Sequence, residues 1–170
     1  GCPYQPDQLL SPLGVYGATK AEGETSLAAA LSVDRFCILR TSWVYGPVGR
    51  NFLRTMLSLH AERDQLRVVA DQVGCPTATV GLAPACWRAV ERQQSGVLHW
   101  SDAGAASWYD FAVAIGELAA ARGLLPQAAQ VLPITTADYP TPAKRPAYSL
   151  LASNRTREQL QLQPKHWRSA

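Results

Sequence analysis

The sequence predicts an α/β fold, and three observations carry that expectation. Segments of helical composition alternate with strand-length apolar runs along the whole chain. The junctions carry Gly and Pro punctuation, as in Gly46-Pro47 and the Pro-rich stretch 140–146. The length of 170 residues, 17% of them charged, suits a globular unit and carries no signature of disorder.

The elements follow in order. Ser11-Pro12 closes a Pro-rich opening. From Tyr16 to Leu31 there is no Pro, and Ala, Glu and Leu dominate, so this run reads as helix. Arg35 to Arg40 is an apolar run of strand length that leads into Thr41-Ser42-Trp43-Val44-Tyr45-Gly46-Pro47, a loop of polar and aromatic groups. Asn51 to Glu62 reads as a helix with Phe52, Met56 and Leu59 on one face. Leu66 to Ala70 is a short strand. Val80 to Arg92 reads as helix, with Pro84 assigned to its first turn. Val97 to Trp100 is a strand. Ser107 is suited to cap a helix that runs to about Arg122 and is closed by Gly123. Extended pieces at Val131–Thr135 and Pro146–Leu151 flank the Pro-rich loop, and Asn154 to Leu160 forms a last helix.

The chemistry concentrates on Tyr16 and Lys20. On a helix, residues four apart share a face, so the spacing sets an ammonium beside a phenol. A free phenol titrates near pH ~10 and exchanges protons poorly at neutrality. A neighbouring cation favours the phenolate, and such a phenol can act as general acid to a carbonyl oxygen or general base to a hydroxyl. Reduction of a carbonyl by a nicotinamide needs that proton donor, since the cofactor supplies only hydride. A half-buried Tyr and a solvated Lys on an ordinary helix would show the same spacing. The context adds weight: the helix feeds a strand, and ligands of open α/β sheets bind outside the carboxyl ends of strands.

Longer motifs define a resemblance. Tyr16-Gly17-Ala18-Thr19-Lys20-Ala21-Glu22-Gly23-Glu24, followed by Leu39 to Gly46, resembles the extended short-chain dehydrogenase/reductases. Asn51 to Met56, Leu66 to Thr77, Ser107 to Phe111 and Tyr139 to Pro146 resemble the branch of that family that reduces dTDP-4-dehydrorhamnose. The likeness runs from about Leu13 to Trp167. It implies the C-terminal portion of an NAD(P)-binding Rossmann-type enzyme together with its small substrate-binding domain. Elements at about 1–62 and 80–106 would belong to the Rossmann part, and those at about 63–79 and 107–170 mainly to the substrate domain. The family's Gly-rich pyrophosphate turn and the Ser or Thr that precedes its Tyr have no counterpart here. The expectation is therefore a piece of a longer enzyme, inactive alone, that self-associates, as a dimer, through its truncated face.

The resemblance also assigns roles. Tyr16 and Lys20 are the catalytic pair and contact the cofactor, NADPH with NADH as the alternative. Thr41 and Ser42 lie where the family contacts nicotinamide. Trp43 either meets the sugar, whose apolar side suits an aromatic face, or packs in the core. Asn51 opens a helix whose backbone N–H groups favour anions, or is a plain N-cap, and both readings are compatible. Arg145 resembles an arginine placed on the substrate diphosphate, with a solvated loop arginine as the alternative. The roles of Arg67, Asp71 and Gln72 stay open between structure and nucleotide, and His99 reads as a strand residue. The implied partner is the nucleotide sugar dTDP-4-dehydrorhamnose. Rival readings are another extended-family epimerase or dehydratase, or a non-catalytic regulatory member.

Composition excludes several classes. The net charge of +3 is mild, and no block of like charge suggests nucleic-acid binding. No apolar run approaches the ~18 residues of a membrane span, and no signal-peptide pattern opens the chain. The cysteines Cys2, Cys37, Cys75 and Cys86 form no Cys-x-x-Cys pair, and His60, His99 and His166 are scattered, so no metal site is expected. Cys37, in an apolar run, is expected to be buried, and a reduced, cytoplasmic setting is the default.

Overall fold

Helix α1 (Val15–Ala30) carries the Tyr16–Lys20 pair and lies almost entirely at the surface, with no buried residue. Its Ala, Glu and Leu content favours helix, and its stripe of half-buried Ala21, Glu24, Leu27 and Leu31 touches the rest of the chain lightly. The computed structural model describes residues 1–170. After α1 a short 3₁₀ turn leads to β1 (Cys37–Arg40), and the Trp43 turn follows into β2 (Val44–Tyr45). Helix α2 (Phe52–Glu62), β3 (Gln65–Val69), β4 (Val73–Gly74), β5 (Thr77–Ala78) and α3 (Thr79–Glu91) come next. The chain continues through β6 (Gly96–His99), β7 (Ala106–Ser107), α4 (Trp108–Ala121), β8 (Gln130–Ile134) and α5 (Asn154–Leu160).

The strands form four two-stranded sheets. β1 pairs with β6, β2 with β5 and β3 with β8, all parallel, while β4 and β7 are antiparallel. Parallel partners need long crossovers, and helices supply them. The register sets Arg40 opposite His99 at the carboxyl ends of β1 and β6.

Two apolar clusters hold these pieces together. The larger joins Met56 of α2, Leu66 and Val68 of β3, and Phe111, Ala112 and Ile115 of α4. α4 presents small residues, Ala112, Gly116 and Ala119, to the interior, so α2 and β3 approach closely. Its start is fixed by a capping box in which the Ser107 side chain accepts from the Asp110 N–H and Asp110 accepts from the Ser107 N–H. The smaller cluster joins Ala85 and Ala89 of α3 with Leu98, Trp100 and Leu160. Here α5 covers α3 and β6.

Every element expected from the sequence forms, and two details differ. Pro84 lies in the second turn of α3, because that helix starts at Thr79, and the N–H missing from Pro84 leaves the Val80 carbonyl without its helical partner. Cys37 is exposed, not buried. It opens β1, whose single strand partner is β6, so an apolar run of strand length lacks the second neighbour that would cover it.

Candidate active site

The turn after β1 is built against the segment Val73–Thr77. Ser42 Oγ donates to the Cys75 carbonyl at 2.9 Å, and the Thr77 N–H donates to the Trp43 carbonyl at 3.1 Å. Trp43 has φ of 45°, in the left-handed region that few large side chains occupy. Its indole stacks on Trp108 with ring centroids 3.6 Å apart and planes 10° apart. Gly74 is required beneath it: a Cβ there would come within 2.6 Å of Trp43 Cε2. The Val73-Gly74-Cys75-Pro76-Thr77 motif is thus the seat of the Trp43 turn.

The indole of Trp108 is anchored in turn. Its Nε1–H donates to Gln72 Oε1 at 3.2 Å, and Gln72 Nε2 donates to Thr136 Oγ1 at 3.0 Å. Thr136 donates its N–H and its hydroxyl to the Asp71 carboxylate, and the N–H bonds hold that carboxyl below the usual carboxylate range. The Asp71-Gln72 pair therefore serves structure at this point of the fold.

Tyr16 and Lys20 stand on the open face of α1. The Lys20 ammonium lies 5.6 Å from the Tyr16 ring centroid, and Tyr16 is 78% exposed. The other tyrosine near the turn, Tyr45, is buried, and burial pushes its hydroxyl up to about 12, which makes it a weaker acid than a free phenol. Thr41 Oγ1 is buried and has no hydrogen-bond partner. An unpartnered buried hydroxyl at the carboxyl end of a strand suits a bound polar group.

Asn51 caps α2. Its Oδ1 accepts from the Arg54 N–H at 3.1 Å, and its Nδ2 donates to the Gly46 carbonyl at 2.8 Å. The side chain is occupied within the fold, and Arg50 and Arg54 flank it along a shallow polar depression. Arg145 is exposed in the loop after β8 and makes no hydrogen bond or ion pair within the chain. The structure thus brings Thr41, Ser42 and Trp43 onto one turn, sets Tyr16 and Lys20 together on α1, and holds Arg145 on a separate loop.

Sequence reasoning missed one network. Glu24 on α1 pairs with Arg40 on β1, with Arg40 Nε to Glu24 Oε1 at 2.9 Å. Arg40 Nη1 donates to the Pro6 carbonyl at 3.1 Å and stands 3.3 Å from His99 Nε2. His99 Nδ1 faces the Tyr4 carbonyl at 3.1 Å. A neutral imidazole with its proton on Nδ1 satisfies both contacts. The network ties α1, β1, β6 and residues 4–6 together. Glu24 lies in the Tyr16 motif and Arg40 ends the apolar run, so opposite charge on neighbouring elements was the available signal. No group of three or more His, Cys, Asp or Glu side chains is arranged to hold a metal.

These features define a part of a parallel α/β protein that gathers polar and aromatic groups at the carboxyl end of β1. The chain belongs to the RmlD substrate binding domain family, which matches it over residues 1–170. It is 43% identical to a dTDP-4-dehydrorhamnose reductase of Aggregatibacter actinomycetemcomitans over 98% of this chain and 58% of that protein. It is 41% identical to the spore coat polysaccharide biosynthesis protein SpsK of Bacillus subtilis over 99% of this chain and 56% of that one. Its fold is similar to the crystal structure of a dTDP-4-dehydrorhamnose reductase from Bacillus anthracis in complex with NADP. The TM-score is 0.89 at 34% identity, over 98% of this chain and 57% of the other. The chain thus spans little more than half the length of the relatives it matches. No helix is long and apolar enough to cross a membrane.

Proposed function

We propose that this chain is the proton-donating and substrate-holding portion of an NADPH-dependent reductase of a 4-keto nucleotide sugar, dTDP-4-dehydrorhamnose. The observation that carries the reading is the Lys20 ammonium 5.6 Å from the Tyr16 ring on an open helix face. Tyr16 gives its proton to the oxygen at C4 of the sugar as that oxygen gains negative charge. Lys20 keeps a positive charge beside the phenol. Thr41, Ser42, Tyr16 and Lys20 hold the cofactor, which supplies hydride when bound. Trp43 offers an indole face to the sugar, the α2 N-terminus at Asn51 faces the nucleotide, and Arg145 reaches the diphosphate from its loop.

The same reading divides the chain into a cofactor-side part, about 1–62 and 80–106, and a substrate-side part, about 63–79 and 107–170. α2 joins the two, since it contacts α4 and β3. The chain by itself self-associates through α1 and β1 and is inactive, and the setting is cytoplasmic. Support for the reductase over an epimerase or a dehydratase comes from relatives named as dTDP-4-dehydrorhamnose reductases at 35–43% identity.

The test is Tyr16→Phe, made in this chain joined to the remaining part of one of the longer relatives. Loss of a positioned general acid lowers the rate by about 10²–10⁴, with sugar-nucleotide binding retained. A Phe variant that turns over the 4-keto sugar nucleotide as fast as its parent overturns the assignment.

A further inference from the structure

We infer that Gln72 is a positioning residue for Trp43, acting through Trp108. Trp43 sits at a backbone angle that its bulk disfavours, with φ of 45°. Something must hold it there. The contact on its ring is the stacked indole of Trp108 at 3.6 Å. Stacking alone leaves an indole free to slide and turn in its own plane. Trp108 is denied that freedom by the bond from its Nε1–H to Gln72 Oε1, and Phe52 packs on it, tilted by 49°, at a centroid distance of 4.7 Å.

Gln72 is itself buried, with 7% exposure, and its amide can point only one way. Nε2 donates to Thr136 Oγ1, whose own hydrogen goes to Asp71, so that hydroxyl can only accept from Gln72. This fixes Oε1 toward Trp108. A direction set at Asp71, at the end of the β3 region, thus passes through Thr136, Gln72 and Trp108 to the plane of Trp43. Gly74 completes the seat by leaving the space that Trp43 fills. The alternation Asp71-Gln72-x-Gly74 now has a physical reason: the Asp orients, the Gln transmits, and the Gly makes room.

The inference rests on the reading of Trp43 as the sugar platform, and the two are separable by experiment. Two stacked indoles give an exciton couplet in circular dichroism, which reports their mutual orientation without any activity. In the 170-residue chain the couplet is expected in the parent and absent in Trp108→Phe. Gln72→Met, similar in volume but without an acceptor, is expected to lose most of the couplet. If Gln72→Met does not fold, Gln72→Asn, one carbon too short to reach the indole, carries the same expectation. A folded Gln72→Met or Gln72→Asn with the parent couplet overturns the positioning role. Titration with dTDP-rhamnose then tests the reading underneath. Affinity should fall by up to roughly tenfold in Gln72→Met, because binding must then order an indole pair that the hydrogen bond no longer fixes. A lost couplet with unchanged affinity keeps Gln72 as the positioning residue and removes Trp43 from the sugar.

Discussion

At the level of single side chains, His60 shows how one tautomer can organise a core. Its Nε2 faces the Ala112 carbonyl at 3.0 Å, and its Nδ1 accepts from the Ala129 N–H at 3.2 Å. The ring bridges α2, α4 and the approach to β8, and Gly116 gives it space. A Cβ at position 116 would lie 2.5 Å from His60 Cε1. The neighbour is a ring fixed at both nitrogens, so it cannot step aside without breaking a buried bond. Gly116→Ala is therefore expected to destabilise by about 1–3 kcal/mol despite the better helix propensity of Ala. Urea unfolding decides, and a variant as stable as its parent removes His60 from this role. The Tyr16–Lys20 pair was readable from spacing, because both residues lie on one helix. The Trp43–Trp108 stack was not, since its partners belong to distant motifs and no local pattern links them. Cys37 was misjudged because an apolar run says nothing of how many neighbours its strand has.

Among elements, α1 is held more by charge than by packing. It buries no residue, yet Glu24 fastens it to Arg40, and Arg40 and His99 fasten residues 4–6. Burial, and then the Arg40 charge, hold the His99 imidazole below its ordinary value of 6.5. A group whose folded value is lowered stabilises the fold above its unfolded value, and that stability is lost as pH falls through the folded one. Protonated His99 could no longer accept from Arg40 and would face it as a like charge. Acidification below about pH 6.5 is thus expected to loosen the N-terminal segment first. Hydrogen exchange at the Ala152 N–H, which donates to the Tyr4 carbonyl, reads this directly. Protection that does not change with acid, or that is equally acid-sensitive in His99→Gln, speaks against the assignment. The helices were legible because their caps and periodicity are local, as at Asn51 and Ser107. The two-residue strands β2, β4, β5 and β7 were not, because a pair so short carries no alternation to detect.

For the molecule as a whole, the open surface of α1 and β1 is the feature with the widest consequence. Leu9, Val15, Tyr16 and Val33 are all largely exposed, and β1 pairs along one edge only. Exposed apolar residues beside an unpaired strand edge favour association with another chain. The 170-residue chain is expected to run as a dimer or larger in light scattering. A clean monomer contradicts this. The α/β class was legible from the alternation of elements. The division into two apolar clusters was not, because α5 returns from the chain's end to cover α3 and β6, a contact that no local signal announces.

The strand pairings also bear on how fast the chain reaches this state. β1 waits for β6 and β3 waits for β8, each across dozens of residues that include whole helices. Loop closure of that span is unfavourable until both strands and their covering helices meet. Helices α2 and α4 can gain structure early from local contacts, but no strand can pair within a hairpin. Refolding should accordingly be slow for a protein of this size. The interval before the parallel pairs close is when Cys37 and the apolar run around it are most open to a wrong partner.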